Sequence, residues 1–124
     1  MEGKLIKFTV PIKPVPFPRA ASRGHRRYNP KNYSEYKQEI GWYALVAMKG
    51  APPFKGEVRL HADFYRPKPK RSKQVSFIGD ADNYLKAVMD ALIGICYVDD
   101  RQVTRFSGAK EFGKAKVIIE VEEL

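Results

Sequence analysis

The segment from residue 80 to residue 101 has the sequence DADNYLKAVMDALIGICYVDDR, and it contains the strongest helical pattern in the chain. Its apolar residues recur at i, i+3, i+4, i+7 and i+8, which places them on one face of a helix. These residues are Leu85, Val88, Met89, Leu92 and Ile93. Asp82 stands where a helix N-cap is expected, and Gly94 where a helix ends. The pattern predicts a helix over residues 82–93 with carboxylates beyond both ends.

This segment is acidic although the chain is basic. Five of the 14 acidic residues fall within it, namely Asp80, Asp82, Asp90, Asp99 and Asp100. The 124 residues include 23 lysines and arginines, which gives a formal net charge of +9 and a pI near 9.7. A basic surface attracts a polyanion, whereas clustered carboxylates repel one unless a divalent cation lies between them. The contrast favours a nucleic-acid partner over an acidic protein partner or a merely solvated surface.

The rest of the chain predicts a second helix and four strands. Alternating apolar residues indicate strands over 5–10 and 57–65, and helical spacing covers 32–49. Two more strands are expected over 102–106 and 116–122, joined by a turn near 108–113. Prolines make 11–18 extended, and the segments 19–28 and 66–73 are basic loops. The predicted fold is one α+β domain over residues 1–124, with a mixed sheet, two helices and the order β-α-β-α-β-β.

Several classes of protein do not fit the composition. No stretch approaches 18 apolar residues, and the first residues lack the apolar core of a signal peptide. The single Cys96 excludes an intramolecular disulfide and a cysteine-based zinc site, and it is expected to be a small buried apolar residue. We therefore expect a cytoplasmic protein without a membrane partner.

The acids at the two ends of the predicted helix are candidate metal ligands. Asp80 and Asp82 lie two residues apart in a non-helical segment, so both side chains can point into one cleft and offer the oxygen ligands that Mg²⁺ takes. The alternative is that Asp82 caps the helix and Asp80 interacts with the helix dipole. Asp99 and Asp100 can join the pair only if residues 94–99 return nearly extended along the helix. Otherwise they are solvated acids in a turn.

Lys86 lies one helical turn after Asp82, and Asp90 one turn further. A lysine beside a scissile phosphate stabilises the charge that develops in the transition state. The alternative is a structural i,i+4 ion pair. For Asp90 we favour that structural role, with Lys86 as its partner, because Asp90 is too far from the helix start to share a metal.

Two basic loops are the expected contacts with a nucleic-acid backbone. The first contains Arg19, Arg23, Arg26, Arg27 and Lys31, and the second Lys68, Lys70, Arg71 and Lys73. Phe77, in the loop before the carboxylates, either packs in the core or wedges between bases at a distorted step. No glycine-rich phosphate-binding loop is present.

Together these motifs resemble the RusA family of Holliday junction resolvases. The resemblance rests on Asp80-Ala-Asp-Asn83, Lys86, Asp90-Ala-Leu92, Gly94 and Asp99-Asp100-Arg-Gln-Val103, and on the proline-rich start followed by an arginine-rich loop and a tyrosine-rich helix. It spans nearly the whole chain except residues 66–78. It implies a Mg²⁺-dependent endonuclease, with Mn²⁺ able to substitute, that works as a homodimer and resolves four-way DNA junctions by paired symmetric nicks.

By the same resemblance, Asp80, Asp82 and Asp100 match the metal-binding catalytic aspartates and Lys86 the catalytic lysine, while Asp99 stays an alternative to Asp100. Two positions depart from the family pattern. Gly79 stands where the family often has proline, which is expected to loosen the loop, and Tyr84 replaces a common aliphatic residue. Two rival functions remain, a nuclease for flaps or forks and a catalytically inert nucleic-acid-binding module.

Overall fold

The computed structural model describes residues 4–18, 30–71 and 73–124. Its elements, in chain order, are β1 (Leu5–Val10), α1 (Pro30–Met48), β2 (Val58–Arg66), α2 (Ala81–Ala91), a 3₁₀ turn (Asp100–Gln102), β3 (Val103–Phe112) and β4 (Lys116–Glu123). The predicted α+β class and the order β-α-β-α-β-β are confirmed. Among the described residues, no helix is both long and apolar enough to cross a membrane.

The four strands form one mixed sheet in the order β1-β4-β2-β3. β2 pairs in parallel with β3, while β4 pairs antiparallel with both β1 and β2. Alternation along β2 buries Val58, Leu60, Ala62 and Phe64 completely, because strand side chains point to opposite faces in turn. Both helices cover that face, with α1 over β1 and α2 over β2 and β3.

The expected turn near residues 108–113 is wrong, because β3 continues through Gly108 to Phe112. Gly108 pairs with Ala62, and a Cβ atom at position 108 would lie 3.2 Å from the Ala62 carbonyl oxygen. The glycine is therefore a position of close strand packing. The turn follows instead at residues 113–115, where the Gly113 N–H donates to the Arg66 carbonyl oxygen at 2.9 Å. β3 and β4 are not neighbours, since β2 lies between them.

The sheet has two chemically different ends. α2 begins beside the end at which β2 and β3 finish, because the Tyr84 ring lies 5.5 Å from the ring of Phe64 in the second half of β2. We call this the loop end, because it carries the loop of residues 67–80. At the opposite end Val103 pairs with Val58 as β3 and β2 begin.

Candidate active site

Asp80 and Asp82 both lie exposed at the start of α2, at the loop end of the sheet. The helix begins at Ala81, so its N-cap is Asp80 and not Asp82 as the sequence suggested. The Asp80 side chain makes no capping hydrogen bond; its backbone oxygen accepts from the N–H groups of Asn83 and Tyr84 at 3.0 and 3.3 Å. Side-chain capping by Asp80 therefore does not account for this pair of acids.

The loop that precedes Asp80 is fixed by two side chains from the core side. The Lys110 Nζ donates to the carbonyl oxygen of Phe77 at 2.6 Å and to that of Gly79. The Tyr84 hydroxyl donates to the carbonyl oxygen of Ile78 at 2.9 Å. Three successive carbonyls thus have donors, so the backbone that leads into Asp80 is held in one conformation.

Sequence reasoning missed Lys110. It occupies a position of β3 that pairs with the buried Phe64 and so faces the helices. A lysine at a core-facing strand position requires a polar partner. The charged residue at such a position of β3 was therefore the signal in the sequence that could have pointed to Lys110. The partner itself, 33 residues earlier in the chain, could not be inferred from spacing.

Gly79 and Tyr84 fit each other. Gly79 has φ +114°, and a Cβ atom there would lie 2.5 Å from Cε2 of Tyr84. The tyrosine ring therefore fills the space that a side chain at position 79 would need. The expectation that Gly79 loosens the loop is wrong, because Tyr84 both packs against the glycine and binds the preceding carbonyl.

Lys86 lies on the exposed side of α2, one turn after Asp82. Its Nζ is 4.9 Å from the centre of the Phe17 ring, a distance at which a cation is attracted to the ring face. The Phe17 N–H donates to the Asn83 carbonyl oxygen at 2.9 Å, which ties the proline-rich segment to the first turn of α2. The proline-rich segment therefore lies against the first turns of α2 and contacts the Lys86 side chain.

Asp90 joins the two helices. Its Oδ2 atom accepts from the Tyr33 hydroxyl and from the Lys37 Nζ, each at 2.9 Å. Burial, and next the hydrogen bond to Asp90, raise the pKa of Tyr33 well above its ordinary value. The expected partner is thus corrected: Asp90 pairs with Lys37 of α1 and not with Lys86.

Asp99 and Asp100 lie at the opposite end of the sheet and differ in their partners. Asp99 caps the 3₁₀ turn, and its carboxylate accepts from the Arg101 backbone N–H at 2.8 Å and from the Arg101 guanidinium at 3.0 Å. The hydrogen bond from the Arg101 side chain is the main reason that the pKa of Asp99 is lowered. Asp100 is exposed in the first turn. Asp99 therefore has a structural function at this end of the sheet.

Residues 94–98 do not return along α2 as the metal-site hypothesis required. The Gly94 N–H donates to the Tyr97 carbonyl oxygen at 2.6 Å, and the Tyr97 hydroxyl donates to the Met89 carbonyl oxygen at 2.6 Å. These bonds coil the segment beneath the end of the helix. Asp100 stays near Val58, about 20 Å along β2 from the residues beside Asp80. Within the described part of one chain, no three His, Cys, Asp or Glu residues could together hold a metal ion.

The basic side chains of the second loop all lie exposed at the loop end: Lys68, Lys70, Arg71 and Lys73. The other predicted DNA contacts, Arg19, Arg23, Arg26 and Arg27, lie outside the described residues. Phe77 is only 5% exposed and packs edge-on against Tyr84 at 5.4 Å. Its assignment as a DNA-contacting wedge is therefore corrected, because the ring belongs to the core. The exposed apolar neighbour is Ile78.

Comparison with known proteins identifies the family of the chain. Residues 11–122 match the family described as Endodeoxyribonuclease RusA, so the match includes both acidic ends of α2 and the whole second basic loop. The chain is also similar to the uncharacterized protein YqaN of Bacillus subtilis (strain 168), with 34% identity over 130 residues that cover 88% of this chain and 89% of YqaN. The chain belongs to the RusA family of endodeoxyribonucleases.

Proposed function

We propose that this endodeoxyribonuclease is Mg²⁺-dependent, accepts Mn²⁺ in its place, and resolves four-way DNA junctions by paired symmetric nicks. The observation that carries the proposal is the exposed pair Asp80 and Asp82, at the end of the sheet that also carries the basic loop. Carboxylates in the path of a bound polyanion are unfavourable unless a cation lies between them. The same end therefore has the groups to bind a phosphate backbone and to hold a metal against it.

The side chains at this end fit Mg²⁺. Asp80 and Asp82 supply carboxylate oxygens, and Mg²⁺ is usually held by one or two carboxylates together with retained waters and substrate phosphate oxygens. A structural zinc site would require a closed set of cysteine and histidine ligands. When bound, the ion would lower the pKa of a coordinated water and stabilise negative charge on the phosphate.

The chain's own residues would then bind and orient the DNA strand. Lys86 would place its ammonium group beside the phosphate that Asp82 faces, where it offsets the charge that develops during hydrolysis. The exposed cations of the second basic loop would neutralise flanking phosphates. Lys110 and Tyr84 would act as positioning residues, because they hold the backbone before Asp80.

We further propose that the enzyme is a homodimer and that Asp100 is the third metal ligand, supplied by the partner subunit. Two equivalent sites suit a junction with two equivalent strands, because an isologous dimer repeats each site by two-fold symmetry. In its own chain Asp100 lies at the opposite end of the sheet from Asp80 and Asp82, about 20 Å away along β2, and no three described carboxylates, histidines or cysteines come together there. A second chain is the simplest source of the missing carboxylate.

A nicking assay on a synthetic four-way junction tests the proposal. With Mg²⁺ we expect paired nicks from the wild-type enzyme and a loss of at least about a hundredfold for Asp82→Asn, because the metal loses a ligand. Asp63→Asn is the matched control, since Asp63 lies in β2 on the face away from the helices and pairs with His61. Equal nicking by wild type and Asp82→Asn, or nicking without a divalent metal, would refute the assignment.

The two rival functions are separated by substrate and metal. A nuclease for flaps or forks would cut those substrates faster than a junction under the same conditions. An inert binding module would bind DNA in a salt-dependent manner, yield no Mg²⁺-dependent product and tolerate Asp82→Asn. The exposed acidic pair argues against such a module, since uncompensated carboxylates at the loop end weaken DNA binding.

A further inference from the structure

We propose that Ile78 is a wedge that inserts beside an unstacked base of branched DNA, next to the phosphate that is cut. This inference rests on the proposed function, because it concerns how the same site would recognise its substrate. The Ile78 side chain is 76% exposed, although isoleucine is among the residues most often found buried. Val75, in the same loop, is 97% exposed. The segment just before the acidic pair thus presents apolar surface to solvent.

The backbone of Ile78 is fixed from the core side. The preceding Phe77 side chain is buried and packs edge-on against the Tyr84 ring. The Tyr84 hydroxyl donates to the Ile78 carbonyl oxygen at 2.9 Å, and the Lys110 Nζ donates to the carbonyl oxygens of the residues on either side. The exposed side chain of Ile78 is therefore carried by a backbone that is already ordered. A side chain held in this way costs less conformational freedom when it binds a partner.

The charges in the same loop favour DNA as the partner of this apolar surface. The exposed cations Lys68, Lys70, Arg71 and Lys73 precede Ile78 in the chain. A matching partner must carry negative charge and present apolar surface at neighbouring points. A DNA strand has both where a base leaves the stack, since its phosphates lie beside the face of the base. An apolar protein surface would match Ile78 but would leave the cations uncompensated.

The position of Ile78 in the chain places the wedge close to the cut. Ile78 and Asp80 are two residues apart, so at most about 7 Å separates their Cα atoms. Along one stacked strand of DNA the rise is about 3.4 Å per nucleotide. A base that Ile78 contacts would therefore belong to a nucleotide within about two positions of the phosphate held at the acidic pair.

Such a wedge would give a preference for branched DNA that the cations alone do not supply. Lysine and arginine side chains contact any phosphate backbone, whatever its sequence or shape. An apolar side chain gains a contact only where a base can leave the stack, and unstacking costs least where base pairing is already interrupted. Ile78 would thus help to distinguish a branch point from a regular duplex.

Base unstacking is measured on a synthetic four-way junction that carries a fluorescent adenine analogue, whose emission rises when it leaves the stack. The analogue is placed in turn at each position around the branch point, and Ca²⁺ replaces Mg²⁺, with gel analysis to confirm that the strands stay intact. We expect emission to rise at least about twofold at one position on each cut strand when the wild type binds. Ile78→Ser should abolish the rise at saturating protein, whereas Ile78→Leu should keep most of it. Leu5→Ser is the matched control, because Leu5 is 54% exposed in β1, away from the loop.

Affinity provides a second measurement. Ile78→Ser should weaken junction binding by about tenfold through the loss of apolar contact, and should leave binding to a regular duplex unchanged. The slope of log Kd against log salt should also stay unchanged, because no phosphate contact is lost. Circular dichroism should show an intact fold, since the Ile78 side chain is mostly exposed.

Several results would overturn the wedge. They are the absence of an emission change at every position, an Ile78→Ser variant that behaves as the wild type, and an equal loss of junction and duplex binding. A changed sedimentation coefficient of Ile78→Ser without DNA would assign the residue to a protein contact instead. An enzyme that unstacks the base but does not nick in Mg²⁺ would refute the proposed function alone, and one that nicks the junction without unstacking a base would refute the wedge alone.

Discussion

Mixing two inactive variants tests whether the two acidic ends of α2 act together across the dimer. Asp82→Asn removes a carboxylate at the loop end, and Asp100→Asn removes one at the opposite end, about 20 Å away in the same chain. If each site takes Asp80 and Asp82 from one subunit and Asp100 from the other, both homodimers are inactive. In a heterodimer, however, one site receives both changes and the other receives none. A heterodimer isolated through two different affinity tags should therefore nick at about half the wild-type rate per dimer, because one of two equivalent sites is intact.

The assay uses a junction labelled on opposite strands, so that single and paired nicks are resolved. The heterodimer should yield single nicks with few paired products, since only one site can cut. A heterodimer of Asp80→Asn with Asp82→Asn is the control and should stay inactive, because those two changes impair different sites and leave none intact. If the Asp82/Asp100 heterodimer is as inactive as its parents, the carboxylates act within one chain. If Asp100→Asn alone keeps full activity, Asp100 is not a ligand.

Four further predictions concern single positions. Lys110→Met should lower the free energy of unfolding by about 1–2 kcal/mol, since two loop carbonyls lose a charged donor. The same variant should need a higher Mg²⁺ concentration for half-maximal nicking, and an unchanged Mg²⁺ dependence would contradict the positioning role of Lys110. Gly79→Pro should lower the unfolding free energy by about 2–4 kcal/mol because proline cannot adopt φ +114°. Adding Tyr84→Leu should recover part of that loss, because it relieves the clash between the proline and the tyrosine ring. Denaturant titration of both variants measures the two effects. Lys70→Gln should reduce the slope of log Kd against log salt by about 0.9 if the lysine contacts a phosphate, as fluorescence anisotropy at several salt concentrations would show. Burial raises the pKa of the Cys96 thiol from 9.0 to about 12. The unfolding free energy should therefore decline as the pH rises above 9, where the thiolate forms first in the unfolded chain. An unfolding free energy that does not change with pH in this range, or rapid alkylation of Cys96 in the native protein, would contradict this prediction.

Local patterns in the sequence predict most of the fold. β1 was predicted with its observed bounds, and both helices begin and end within two residues of their predicted limits, because alternation and the 3.6-residue period are carried by neighbouring residues. The predicted end of β3 was wrong because Gly108 resembles a turn residue. Its role depends instead on its close approach to Ala62 in another strand. What a glycine does in a strand is decided by its neighbour in the sheet.

The candidate site was only partly predictable for the same reason. Asp80, Asp82 and Lys86 are close in sequence, so helix geometry places them together. The contacts of Lys110 with Phe77 and of Asp90 with Lys37 span 33 and 53 residues, and no local spacing encodes them. We predicted that residues 94–98 return along the helix because a fully extended chain of that length could span the distance. Hydrogen bonds from Gly94 and Tyr97 keep the segment coiled instead.

If Asp100 is a metal ligand, as proposed, the charges at the two ends of the sheet would make one chain a poor nuclease by itself. At the loop end the acidic pair lies among exposed cations that can bind a strand of DNA, whereas Arg101, the basic residue beside Asp100, is paired with Asp99. A strand bound at the loop end would pass far from its own chain's Asp100, and a strand at the opposite end would lack the basic loop. In the proposed dimer, the basic loop and acidic pair of one subunit would lie beside the Asp100 of the partner subunit. Cutting would then require an assembled dimer, which by symmetry has two sites for the two strands of a junction.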